Sequence, residues 1–311
     1  MDPFDADAQL GTLSGLAFAK LHATGNDFVI IADPEGTRAL DPGQVEALAD
    51  RHLGLGADGV IRAVPSRFLA EGRELLATDP AAEWFMDYSN ADGSVAEMCG
   101  NGVRAFAHFL AAENLADLDA PLHVGTRAGV KVVTRSRDGY SVDMGPWAFV
   151  HPEQAVDAAM DATVTTAGLD VPRPSLSVSM GNPHTVVALA DAAELAGLDL
   201  TRAPEVAPVP ADGVNVEYVV PSEPLVEDRV AAIAMRVHER GVGETLSCGT
   251  GICAAVVATR HWAGAAGREA QAWAVQVPGG VCGVRFTTGD DGVEHVLLSG
   301  PATRVASGTL A

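Results

Sequence analysis

Cys99 and Cys248 open the same short pattern, Cys-Gly-Asn-Gly at 99–102 and Cys-Gly-Thr-Gly at 248–251, and an apolar run follows each. Val103 to Ala112 and Ile252 to Ala258 are apolar around most of a helical circumference, so each pattern reads as the start of a buried helix. Such a start carries unpaired N–H groups and roughly half a positive charge, and it attracts carboxylates. Glycines there let a ligand approach the backbone closely. The same field favours thiolate over thiol, drawing a cysteine pKa below its usual value of about 8.5. One such site can hold a carboxylate with a base beside it.

Two such sites can invert a carbon centre. If they face each other across a pseudo-twofold cleft, a substrate carboxylate sits between two helix N-termini with its α-carbon between two sulfurs. One sulfur, as thiolate, removes the proton from one face, and the other, as thiol, delivers a proton to the opposite face. A single cysteine would have to act on both faces, which a fixed pocket forbids. Cys253, inside the apolar helix, and Cys282, in a Val-rich strand, read instead as small buried hydrophobes.

The elements that must position these groups are mostly short strands. Asp27 to Ala32, Glu83 to Tyr88, Gly129 to Thr134 and Tyr140 to Met144 are β-branched or alternating runs between turn residues in the first half. Ser175 to Met180, His184 to Leu189, Val214 to Val220, Val230 to Val237, Val281 to Phe286 and Val293 to Leu298 repeat the theme in the second. One further helix starts at Asp41-Pro42, a capping residue followed by proline, and is expected to stop at Gly54. The Cys-Gly-x-Gly patterns lie 149 residues apart, and a Gly-Asn pair before a strand recurs at Gly25-Asn26 and Gly181-Asn182, 156 apart. Two echoes in the same order point to a duplication, with the join near Gly145-Pro146.

The expected fold is α/β: two similar domains related by pseudo-twofold symmetry, each a curved mixed sheet wrapped around a central buried helix. Residues 1–15 read as a disordered acidic extension without the basic region of a secretory signal. Residues 16–145, completed by a strand from 296–311, form the first domain, and 146–295 the second. With 311 residues and nearly half of them hydrophobic, the chain can bury a sizeable core. A net charge of −21 argues against nucleic acid and anionic membrane as partners, and no stretch approaches a membrane span. The expected partners are a small-molecule substrate and, at most, a second copy forming a homodimer. Four cysteines without a CxxC pair suit a reducing cytoplasm.

Seven motifs in order resemble the diaminopimelate epimerase family: Phe18-Ala-Lys-Leu-His-Ala-Thr-Gly-Asn-Asp-Phe28, Asn90-Ala-Asp-Gly-Ser94, Cys99-Gly-Asn-Gly102, Gly181-Asn-Pro-His184, Gly213-Val-Asn-Val216, Glu239-Arg-Gly-Val-Gly-Glu-Thr245 and Cys248-Gly-Thr-Gly251. The resemblance covers nearly the whole chain from Phe18 and implies conversion of LL-diaminopimelate to the meso isomer, feeding lysine and peptidoglycan synthesis, without pyridoxal phosphate or metal. It implies that Cys99 and Cys248 are the acid/base pair. Gly100, Asn101, Gly249 and Thr250 would offer backbone N–H groups, and Thr250 its hydroxyl, to the reacting carboxylate. Asn26 and Glu239 would hold the reacting end, Glu239 against its ammonium group. Asn90, Asn182, Asn215 and Arg240 would recognise the distal end, Arg240 forking to its carboxylate, and His184 would adjust the cysteines' protonation. The chain departs from the family at Asp58-Gly59, where Asp-Gln is common and a side-chain contact to substrate is missing or replaced.

Read without the family, Asn26 and Asn182 are turn residues and Glu239-Arg240 is a solvated pair at a strand end. His22, His52, His108, His123, His151, His238, His261 and His295 show no metal-ligand spacing. A racemase of proline or hydroxyproline would not need Asn90, Asn182, Asn215 and Arg240 together. A thiol redox protein would more often pair cysteines close in sequence, and a non-catalytic amino-acid-binding module would have no use for two thiols.

Overall fold

The computed structural model describes residues 3–211, 213–289 and 291–311. They form two compact units, Met1–Val142 with Gly300–Ala311, and Asp143–Ser299.

In the first unit the segment read as a disordered extension is folded. Helix α1 (Pro3–Gly11) leads into Leu13 and Leu16, which join Val29, Ile31, Val45 and Leu48 in one apolar cluster with Leu10 against it. Residues 1 and 2 lie outside the described residues; of the rest, Asp7 faces water while Leu13 and Leu16 bury. The segment is tied down by main-chain bonds between Gly15 N–H and the Leu310 carbonyl and between Leu310 N–H and the Leu16 carbonyl, both 2.9 Å. Helix α2 (Pro42–Ala49) begins as expected, with Asp41 and Gln44 closing a capping box. It stops five residues before Gly54, because Asp50 Oδ1 captures the His52 and Leu53 N–H groups, and Leu55 and Gly56 then donate to the Leu48 carbonyl. A Cβ on Gly54 would collide with the Ala47 carbonyl, so glycine is required there.

The sheet of this unit runs from the strand Thr303–Thr309 through β1 (Ala17–Ala23), β2 (Asn26–Ala32), β3 (Gly59–Pro65), β4 (Trp84–Asn90), β5 (Leu122–Thr126) and β6 (Gly129–Ser136) to β7 (Gly139–Pro146). Neighbours are antiparallel except β2 with β3 and β4 with β5. Helix α3 (Ala70–Thr78) follows β3, and α4 (Gly100–Ala112) makes the crossover between the parallel strands β4 and β5. Helix α4 touches β1, β2 and β3 as well as β6, so the sheet must curve around it. Its residues Val103, Ala105, Phe106, Ala107 and Leu110 have no exposed surface.

The second unit repeats the plan. After β8 (Ala148–Phe149), α5 (Pro152–Ala158) and β9 (Ala162–Thr165) come β10 (Arg173–Ser179) and β11 (Pro183–Ala188). These are followed by α6 (Ala192–Gly197), β12 (Glu205–Ala207), β13 (Asn215–Glu227) and β14 (Val230–Glu239). After β15 (Gly243–Thr245), α7 (Gly249–Trp262) and α8 (Ala265–Glu269), the unit closes with β16 (Ala272–Val277), β17 (Gly280–Thr288) and β18 (Glu294–Gly300). The order β10-β11-β13-β14-β16-β17-β18 matches β1 to β7 strand for strand. β11 pairs parallel with β13, β14 pairs parallel with β16, and the other pairs are antiparallel. α7 crosses between β14 and β16 as α4 crosses between β4 and β5, and it touches β10, β11, β13, β14, β16 and β17. The duplication read from short motifs is a duplication of topology.

Candidate active site

Each Cys-Gly-x-Gly pattern forms the start of its unit's central helix. Cys99 is the N-cap of α4 and Cys248 the N-cap of α7, both extended in backbone, with Gly100 and Gly249 as first helical residues. The N–H groups of the next two residues, Gly100-Asn101 and Gly249-Thr250, are positions that a helix cannot satisfy internally.

In the first unit Cys99 is half-buried. Its Sγ receives the Gly102 N–H at 3.5 Å, and its thiol donates to Asn26 Oδ1 at 3.4 Å. Asn101 Nδ2 also donates to that oxygen, at 3.3 Å. Asn26 comes into place because the turn between β1 and β2 puts both Thr24 and Gly25 at positive φ. Buried Arg104 on α4 spans Thr24 Oγ1 (3.2 Å) and Asn101 Oδ1 (2.8 Å), binding turn to helix. Asn26 Nδ2 donates to Asp58 Oδ2 at 2.6 Å, which fixes the amide with its oxygen toward the thiol. Asp58 accepts from Arg51 at 2.7 Å, and Asp27 accepts from Arg51 and Lys20 at 2.9 and 2.6 Å. Burial works to raise the Asp27 pKa, but the hydrogen bonds and charges of Arg51 and Lys20 outweigh it and bring it down to about 2. Asn90 ends β4, its Nδ2 on Ser94 Oγ at 3.0 Å in the loop that leads to Cys99.

The second unit surrounds its cysteine differently. Cys248 is only 7% exposed. Burial, followed by the negative charges of Glu239 and Glu217, pushes its thiol well above 9.0, against the pull of the Thr250 hydroxyl and the Gly251 N–H. The expectation that a helix start alone would favour thiolate is corrected here, since desolvation and two carboxylates outweigh the dipole. Burial also raises the Glu239 carboxyl, in spite of hydrogen bonds from Thr245 and Cys248. Asn182, beyond Gly181 at φ +92°, donates through Nδ2 to Thr250 Oγ1 at 3.3 Å, and Thr250 Oγ1 lies 3.6 Å from Cys248 Sγ. His184, fully buried, reaches Asn182 Oδ1 through Nε2 at 3.0 Å and Glu217 Oε1 through Nδ1 at 2.7 Å. Asn215 gives an N–H to the Pro183 carbonyl and accepts the Arg240 N–H, both at 3.0 Å, so it clamps the corner carrying Glu239 and Arg240. The Arg240 stem lies against Gly213, where a Cβ would come within 3.0 Å of its Cδ.

The structure thus gathers Cys99, Asn101 and Asn26 around one helix start, with Gly100 on the helix and Asn90 on the approach loop. It gathers Cys248, Thr250, Asn182, His184 and Glu239 around the other, with Gly249 on the helix. Asn215 and Arg240 form the adjoining corner. Sequence reasoning missed Asp58, Arg51, Arg104 and Glu217. For Glu217 a signal existed: a lone carboxylate in the otherwise apolar run Val216 to Val220. Gly59 leaves no room for a longer side chain, because a Cβ there would meet Tyr88 Cε2 at 2.5 Å and the Ser89 carbonyl at 2.6 Å. Cys253 and Cys282 are buried at 0% exposure. Among the described residues no cluster of His, Cys, Asp and Glu could hold a metal ion, and no helix is long and apolar enough to cross a membrane.

Comparison with known proteins gives the context. In solved structures, a phenazine biosynthesis protein from Bacillus anthracis aligns with TM-score 0.64 at 16% identity, covering 95% of this chain and 99% of that one. A hydroxyproline epimerase from Agrobacterium vitis aligns with TM-score 0.58 at 16% identity, covering 95% and 92%. At such identities these similarities describe the fold alone. In sequence, the chain is 46% identical to a diaminopimelate epimerase of Streptomyces coelicolor, covering 94% of each. It is 45% identical to one of Thermobifida fusca, covering 94% of this chain and 97% of that protein. The family model for diaminopimelate epimerase matches residues 18–150 and 176–305, so both Cys-capped helices and nearly every residue gathered around them lie inside it. The chain belongs to the diaminopimelate epimerase family.

Proposed function

We propose that this protein converts LL-2,6-diaminopimelate to meso-diaminopimelate by a two-base proton transfer between Cys99 and Cys248, as a cytoplasmic step toward lysine and peptidoglycan. The observation that carries the reading is the pair of cysteine-capped helices at equivalent places in a duplicated topology. Epimerisation needs two like groups acting on opposite faces of one carbon, and duplication supplies two like groups.

In this scheme the reacting carboxylate takes N–H groups from Gly100, Asn101, Gly249 and Thr250, with the Thr250 hydroxyl. Its developing charge as the α-proton leaves is met by donors already in place. One thiolate takes the α-proton and becomes a thiol, while the opposite thiol gives its proton to the carbanion and becomes a thiolate. Asn26 and Glu239 hold the reacting end, Glu239 against the ammonium group. Asn90, Asn182, Asn215 and Arg240 take the distal end. Each turnover leaves the two sulfurs in exchanged protonation states, which is why both directions run on one site.

The test is incubation of reduced protein with LL-diaminopimelate in deuterated water, following configuration and deuterium at the α-carbon. Inversion with one deuterium incorporated, absent in Cys99→Ala and Cys248→Ala, is the expected result. Inversion that persists in either alanine variant, or that occurs without solvent deuterium, would overturn the mechanism. Turnover of proline-type substrates with diaminopimelate inert would overturn the substrate.

A further inference from the structure

Glu217 on β13 and His184 on β11 have no exposed surface at all, yet both are ionisable. His184 faces an oxygen at each nitrogen: Glu217 Oε1 at Nδ1 and Asn182 Oδ1 at Nε2. A histidine that faces two acceptors satisfies both only when both nitrogens carry hydrogen. The Asn182 amide lies with Oδ1 at the ring and Nδ2 donating to Thr250 Oγ1 at 3.3 Å. Among the described residues the buried Glu217 Oε2 has no hydrogen-bond partner, so a hydrogen on that oxygen would find no acceptor. The charged form has two compensations. One is the ring beside it, and the other is the start of α7, where a Cβ on Gly251 would come within 2.6 Å of Glu217 Oε1. Helix α7 approaches the carboxylate this closely because Gly251 has no side chain.

We propose that Glu217 is a positioning residue that holds His184 as an imidazolium, and that this pair sets the direction of the hydrogen bonds running through Asn182 to Thr250. With His184 donating to its oxygen, Asn182 must present its nitrogen to Thr250. Thr250 Oγ1 then accepts, and its own hydrogen is left to face Cys248 Sγ 3.6 Å away. A donor aimed at sulfur favours thiolate, opposing the burial that disfavours it. Of the ionisable groups near the ring, Glu217 from β13 bonds it and Glu239 from β14 feels its charge, while Cys248 from α7 lies beyond Asn182 and Thr250. His151 and Asp161 line the cavity of about 280 Å3 that His184 also borders. The meaning of Cys248 here rests on the epimerase reading, but the protonation of His184 does not.

The experiment is 15N NMR of the histidine rings in the full, reduced chain at pH 8, with His184 assigned from the spectrum of His184→Asn. An ordinary histidine, with a pKa near 6.5, is about 3% protonated at that pH. The expected result is a His184 ring with hydrogen on both nitrogens, a change of roughly thirtyfold in protonated fraction over that reference. In Glu217→Gln, one nitrogen is expected to lose its hydrogen. A singly protonated His184 in the unaltered protein overturns the proposal, and so does an imidazolium that persists in Glu217→Gln. If Glu217→Gln fails to fold, the unaltered protein decides alone. A doubly protonated His184 in a protein that leaves diaminopimelate untouched would support this inference while sinking the substrate reading.

Discussion

The two helix starts share backbone, sequence pattern and place in the topology, but not their surroundings. Cys99 is half-buried, and its thiol hydrogen rests on the amide of Asn26, behind which lies the surface network of Asp58, Arg51, Asp27 and Lys20. Cys248 is buried among the carboxylates of Glu217 and Glu239, with an imidazole nearby. A duplicated topology supplies two equivalent cysteine positions at once, and each is adjusted through neighbours that do not alter the helix. In the first half-site the charges are paired close to water. In the second they are paired in the interior, where each costs more to maintain.

The deepest cut at this comparison removes the sulfurs. Cys99→Ala and Cys248→Ala are each expected to lower epimerisation at least ~10²–10⁴-fold, the usual worth of a positioned acid or base, measured as meso product formed from the LL isomer. A loss confined to one variant would show that the equivalence is only one of shape.

Next come the glycines that follow each cysteine by three. Gly251→Ala drives a methyl to 2.6 Å from Glu217 Oε1, whereas Gly102→Ala meets nothing closer than Cys99 Cβ at 3.4 Å. The first is expected to cost about 1–3 kcal/mol by overpacking. The second is expected to be neutral or stabilising by up to ~1 kcal/mol through helix propensity. Urea unfolding of the two variants measures the difference, and equal costs would mean that the half-sites are packed alike after all.

The smallest effects concern pH, and the half-sites should fail at opposite ends of the scale. Asp27 is lowered from 3.8 to about 2 in the folded protein. Its contribution is present above pH 3.8 and is lost as pH falls toward 2, by about 1 kcal/mol after allowance for solvent screening. Cys248 is raised above 9.0, so the unfolded chain releases that proton first and stability declines as pH climbs past 9. Asp27→Asn is expected to flatten the acid limb alone and Cys248→Ser the alkaline limb alone, in urea midpoints taken from pH 2 to 10. A variant that altered both limbs equally would break the assignment.

Much of this was legible in the residues. The capping box at Asp41, the start of both central helices and ten strands announced themselves through local chemistry: turn residues at the ends, alternating or β-branched runs between. The duplication was legible because the same Cys-Gly-x-Gly helix start and the same Gly-Asn turn, with Gly25 and Gly181 both at positive φ, recur in order. What escaped depends on partners distant in sequence. Strand β3 carries Arg62 in its middle, which reads as surface, but Arg62 is buried against Asp33 and Asp87. The segment before β1 reads as an acidic, disordered extension because its three leucines are spaced among acidic and small residues, and it takes folded β2 and α2 to give them a surface to cover. Asp58 looks unremarkable in the sequence, and the lone carboxylate of Glu217 shows no role there, since each acts through a side chain that another strand or turn delivers.

The strand Thr303–Thr309 has a consequence for how the protein is made. It pairs antiparallel with β1 across six register positions, from Ala17 with Thr309 to His22 with Thr303. The first unit, begun earliest on the ribosome, therefore cannot complete its sheet until residues 303–309 have been synthesised. The second unit is continuous in sequence and has all its strands by Gly300. Synthesis order and completion order are thus reversed, and throughout translation of the second unit the outer face of β1 remains an open edge available to other strands.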